Sequence, residues 1–129
     1  MPDGWRRVEI EPGVEFAVPP GAERAEGTPV DSNAGYFSGE GYRITFDLGR
    51  FGEHLEDLEG EEHFVRSPRK LGGRAALEVG FVPSDEPFGW ARVAQVDAGD
   101  GRTLTIRFSS DTRERSDLAE QVFDTVRLC

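Results

Sequence analysis

The chain has 129 residues, 36% of them hydrophobic and 31% charged, and a formal net charge of −10 from 25 acidic and 15 basic side chains. A chain of this length buries roughly two-thirds of the surface it exposes when unfolded, so one domain over residues 1–129 with a single small core is expected, and disorder is not. The sign of the charge argues against nucleic acid or anionic lipid as a partner and favours one of basic character.

Val8-Glu9-Ile10 and Val14 to Val18 are short alternating runs separated by Pro12-Gly13, which predicts a strand pair closed by a turn. Residues 21–35 are rich in Gly, Pro and small polar types without a sustained period, so a mobile surface loop is expected there. From Gly41 to Gly49, Ile44, Phe46 and Leu48 alternate with Arg43, Thr45 and Asp47, the period of a half-buried strand. Phe51, Leu55 and Leu58 then fall at spacings of four and three, which predicts a short central helix stopped by Gly60. His63 to Arg66 fits a short strand, followed by a basic loop from Ser67 to Gly73.

Ala75, Leu77, Val79 and Phe81 alternate with Arg74, Ala76, Glu78 and Gly80, a further strand ended by Pro83. Phe88 to Asp97 and Arg102 to Ser109 form a hairpin turning at Asp100-Gly101, with Leu104, Ile106 and Phe108 on its inner side. Asp111 with Glu114 resembles a capping box, after which Leu118, Ala119, Val122, Phe123 and Val126 mark one face of a closing helix around Asp117 to Val126. The expected fold is therefore α+β: a mostly antiparallel sheet packed with a C-terminal amphipathic helix and a short central helix. Its core should join Ile44, Phe46, Leu77, Val79, Phe81, Leu104, Ile106 and Phe108 on one face. The other face would be a mixed plate of Arg43, Thr45, Asp47, Arg74, Glu78, Thr103, Thr105 and Arg107.

The order of pieces resembles the Mog1/PsbP-like fold family. The likeness is carried by Gly13-Val14-Glu15-Phe16, Tyr42-Arg43-Ile44-Thr45-Phe46-Asp47, the Gly72-Gly73-Arg74-Ala75 entry into a strand, the hairpin, and the closing Phe123-Asp124-Thr125-Val126-Arg127. The resemblance implies an α/β sandwich. It implies no single activity, because members include a nucleotide-release factor for a small GTPase, a photosystem II accessory protein, bacterial lipoproteins and secretion chaperones. These share no catalytic motif, and no functional residue is carried over.

Neither a nucleophile motif nor a dinucleotide fingerprint is present, and the single cysteine, Cys129, has no histidine partner in the pattern, so no enzyme and no cofactor are expected. The acidic run with Glu53, His54, Glu56, Asp57, Glu59, Glu61, Glu62 and His63 offers ligand types for a metal-dependent hydrolase, but its histidines are nine apart and no HExxH or calcium-loop pattern frames them. Residues 63–82 carry four basic side chains and one acidic, against two basic and nine acidic over residues 31–62. Arg66, Arg69, Lys70 and Arg74 therefore form a candidate small-anion site or answer the acids upstream. The favoured reading is a protein- or peptide-binding module using Trp90, Phe88, Tyr42, Arg43, Arg92 and Arg107, residue types enriched at binding hot spots. No membrane span is expected. Met1 to Arg7 has no apolar run behind it, so the chain reads as cytoplasmic if Met1 is the native start and as an envelope protein if an export signal once preceded it.

Overall fold

The backbone divides its hydrogen bonds between two antiparallel sheets. In the computed structural model, residues 4–11, 13–25, 33–39, 41–49, 60–82, 89–99, 101–111 and 117–128 are described. A small sheet takes β1 (Arg6–Glu11), β2 (Val14–Val18) and β10 (Arg127–Leu128) in the order β1-β2-β10. A large one takes β3 (Glu23–Ala25), β4 (Asn33–Gly39), β5 (Tyr42–Gly49), β6 (Glu62–Leu71), β7 (Arg74–Val82), β8 (Trp90–Gly99) and β9 (Arg102–Ser110). Its order is β3-β4-β5-β9-β8-β7-β6. The helix α1 spans Asp117–Asp124. This is the expected α+β fold with a mostly antiparallel sheet.

Two expected loops are strands. Of the first, residues 23–25 form β3 and pair with residues 36–38 of β4, residues 33–35 begin β4 and pair with residues 46–48 of β5, and residues 26–32 lie outside the described residues. Turn-forming composition hid these strands, because Gly, Pro and small polar residues give no apolar alternation even where the neighbouring strand pairs with them. The expected basic loop is the second half of β6, which runs to Leu71 and meets β7 through Gly72 and Gly73 at φ of +56° and +84°. Consecutive positive φ values make this a tight hairpin turn that glycine accepts and larger residues resist. The expected central helix over residues 51–59 lies outside the described residues, as do residues 112–116 of the expected capping box.

The register decides which side chains share a face, since residues directly opposite in an antiparallel pair point the same way. Tyr42, Ile44, Phe46 and Leu48 lie opposite Ser110, Phe108, Ile106 and Leu104, which lie opposite Trp90, Arg92, Ala94 and Val96. This side is the main core. It buries Ala119, Val122 and Phe123 of α1 together with Val14, Phe16 and Val18 of β2. Phe16, Phe37 and Phe46 meet with ring centroids 5.7 to 6.2 Å apart, within the range of favourable aromatic pairs. Thr125 ties the end of the helix to the small sheet: its hydroxyl accepts from the Ala17 N–H at 2.8 Å and donates to the Val122 carbonyl at 2.6 Å.

The expectation of one core is corrected here. Val79 lies opposite Val93, and Val93 opposite Arg107, so Leu77, Val79 and Phe81 face away from Ile106 and Phe108. They build a second buried cluster with Ala91, Val93 and the partly buried Phe64 on the opposite face. Alternation within β7 is out of phase with that of β9. A period-2 pattern fixes which residues travel together, but it does not say which side of the sheet they reach. The same phase difference moves Glu78 and Arg74 off the expected plate and onto the helix side.

Candidate binding surface

Where α1 crosses the β6-β7-β8 end of the sheet, charges replace apolar side chains. Arg69 donates from Nη1 to Glu78 Oε1 at 2.5 Å and to Glu120 Oε2 at 2.9 Å, and from Nη2 to Asp124 Oδ1 at 2.6 Å. Arg92 Nη1 donates to Glu120 Oε1 at 2.5 Å and to Glu78 Oε2 at 3.3 Å. Each glutamate thus bridges both arginines. The Arg69 guanidinium also lies 5.2 Å from the Phe123 ring centroid, a cation–π distance.

Burial pushes the Glu78 carboxyl above its ordinary value, its hydrogen bond with Glu120 adds to the rise, and Arg69 opposes it. Burial also raises Glu120, but its hydrogen bond with Glu78 and the fields of Arg69 and Arg92 outweigh that and hold it below the ordinary value. Arg69 keeps its proton the more firmly: burial works against its charge, and Glu78, Glu120 and Asp124 more than offset that. The cluster works as a clamp between helix and sheet. Among the described residues, its acids come from β7 and α1. With three carboxylates already on Arg69, the small-anion alternative loses its central cation.

Of the six residues expected to bind, the five that are described do not share one face. Tyr42 is 6% exposed and its ring stacks on Phe108 at 5.6 Å and 7° within the main core. Trp90 is half-buried on the same side, and Arg92 belongs to the clamp. Phe88 lies outside the described residues. Arg43 and Arg107 share the opposite face, where Arg107 lies 5.3 Å from the Phe81 ring centroid.

That opposite face carries a residue the sequence reading missed. Tyr36 of β4 is 36% exposed, and the Arg43 guanidinium lies 5.1 Å from its ring centroid. Tyr36 lies opposite Thr45 and Thr45 opposite Arg107, so the three stand in one row across β4, β5 and β9, with Ser38 and Arg43 in the next. The signal was present: Gly39 pairs with Tyr42, and counting back along the two strands puts Tyr36 beside Thr45. Farther along the face, Gln95 donates to the Thr105 hydroxyl at 3.0 Å, and an open depression of about 370 Å³ has Leu77, Gln95, Asp97 and Thr103 among its walls.

Among the described residues, no three His, Cys, Asp or Glu side chains converge as metal ligands would, and no helix is long and apolar enough to cross a membrane. The expected acidic segment falls mostly outside those residues.

No protein-family model matches the sequence, and no curated protein matches it. Among solved structures, the chain is similar to the solution structure of cyanobacterial PsbP (CyanoP) from Synechocystis sp. PCC 6803, at 14% identity and a TM-score of 0.65 over 98% of this chain and 93% of that one. An overlap that spans both chains nearly end to end at so low an identity is a likeness of architecture, and the architecture of this chain is the Mog1/PsbP-like fold.

Proposed function

We propose that this protein is a non-catalytic protein- or peptide-binding module, of accessory or chaperone type, that meets its partner through the β4-β5-β9 side of the large sheet. The observation that carries the reading is the exposed Tyr36 ring under the Arg43 guanidinium. Tyr and Arg are the residue types most enriched where truncation costs binding energy, and a preformed stack loses little freedom on contact. Arg107 and Thr45 extend the patch in register, so of the residues first named, Arg43 and Arg107 remain in the proposed surface and Tyr36 joins them.

Capture of host proteins on the immobilised chain, followed by affinity measurement with Tyr36→Ala, tests this. A truncation at a hot spot costs about 2 kcal/mol of affinity, while at an exposed position it changes stability by about 0.5 kcal/mol or less. Unchanged affinity in the Tyr36→Ala protein would refute the surface. Absence of any captured partner would refute the binding reading itself.

A further inference from the structure

We propose that the depression over β7, β8 and β9, on the face of the large sheet that bears Tyr36, takes up a lysine or arginine side chain of the partner. The inference rests on the reading of that face as the binding surface and deepens it by naming the chemistry of a second contact. The depression measures about 370 Å³, and among the described residues that line it Asp97 alone is charged. Ala75 and Leu77 give it an apolar wall, and Thr103 adds a hydroxyl.

The register makes it continuous with the Tyr36 patch. Tyr36 lies opposite Thr45, and Thr45 opposite Arg107. Two and four residues along β9 from Arg107, Thr105 lies opposite Gln95 and Thr103 opposite Asp97. Arg107 and Thr103 are therefore on one side of β9, about 13 Å apart. Side chains at i and i+4 of a strand project to the same side, so an extended segment lying along β9 over Arg107 brings the side chain four residues on to the depression.

The groups present select a cation. Asp97 Oδ1 accepts from the Gly99 N–H at 2.9 Å at the end of β8, and Arg74 donates to the Asp97 carbonyl oxygen at 3.1 Å rather than to its carboxylate. Among the described residues, Oδ2 and the Thr103 hydroxyl directly opposite make no hydrogen bond. Asp97 and Ala75 are exposed and Leu77 is half-buried. A basic side chain divides in the same way, with a methylene stem to cover Ala75 and Leu77 and a charged head to meet Asp97 Oδ2 and Thr103. An acidic side chain would set its charge against Asp97, and the cation it would need, Lys70, lies opposite Ala75 outside the lining. The net charge of −10 also draws a basic segment at long range.

The probe is a capped heptapeptide of alternating serine and lysine, with norleucine and glutamate versions as controls, titrated into the 15N-labelled chain. The expected result is saturable shifts of the Leu77, Asp97 and Thr103 amides with the lysine peptide alone. Affinity should fall about fivefold in Asp97→Asn, whose amide oxygen still accepts from Gly99, and the shifts should vanish in Ala75→Phe, whose ring fills the depression at an exposed strand position. No saturable shift at these amides, or shifts spread over the surface and untouched by Asp97→Asn, would overturn the proposal. An equal response to the norleucine peptide would do the same, and so would binding of the glutamate peptide, which would assign the site to Lys70. Capture of a host protein that Tyr36→Ala abolishes and Asp97→Asn leaves intact would keep the binding surface and remove the depression from it.

Discussion

Arg69 and Glu78 are diagonal neighbours across β6 and β7: Arg69 lies opposite Ala76 and Glu78 opposite Ser67, and the guanidinium bridges the offset to place Nη1 2.5 Å from Glu78 Oε1. The two side chains are 13% and 10% exposed, and the same guanidinium reaches Glu120 and Asp124 of α1. Docking of the helix over this end of the sheet therefore depends on charge as well as on Phe123.

Arg69→Ala is expected to destabilise the fold by about 2 to 3 kcal/mol, less than the 3 to 5 kcal/mol typical of breaking a fully buried pair, because Glu120 and Asp124 keep contact with water. Urea unfolding measures it. A loss under about 0.5 kcal/mol would show that the clamp adds nothing to helix docking.

The same cluster gives stability a signed pH dependence. Glu120 is held below its ordinary value, so its contribution is present above that value and is lost as pH falls through the folded pKa. Glu78 is raised, so its contribution is present below its ordinary value and is lost as pH rises through the folded pKa. The pair contributes most in the window between the two folded pKa values. In urea midpoints measured across pH, Glu78→Gln should remove the decline on the upper side of that window. An unchanged slope in the variant would contradict the assignment.

Phe123 is fully buried beneath Arg69 and within the main core. Its truncation to alanine should cost about 3 to 5 kcal/mol, as for other core aromatics. A thermal midpoint shifted no more than that of a surface control would remove the helix from the core.

Gly39 lies opposite Tyr42, and a Cβ there would overlap the Tyr42 ring. Gly39→Ala should push that ring off Phe108 and destabilise by about 1 to 3 kcal/mol, the usual range for overpacking. Wild-type stability together with an unshifted Tyr42 ring spectrum would contradict the contact.

How much of this was legible follows from what each signal encodes. The alternations Ile44-Phe46-Leu48 and Leu104-Ile106-Phe108 and the stripe Ala119-Val122-Phe123 located strands, helix and main core, because periodicity within one element is a local property. The phase between elements is not local. Leu77, Val79 and Phe81 looked the same as the inner residues of β9 yet reach the opposite face, and Glu78 looked solvated yet sits under α1 between two arginines. The binding candidates suffered in the same way. Tyr42 has the chemistry of a contact residue, but its parity in β5 matches Ile44, which sends it inward, while Tyr36 shares the side of Arg43. Arg69 lay in a stretch whose composition reads as loop, and only pairing with β7 makes it a strand.

The central claim is that the face bearing Tyr36, Arg43 and Arg107 receives a partner. Hydrogen–deuterium exchange on the chain alone and on the complex recovered from its host tests it most directly. The account predicts slowed exchange concentrated in β4, β5 and β9 around Tyr36, Thr45 and Arg107. Exchange unchanged there, with protection confined to the helix-covered side, would contradict it.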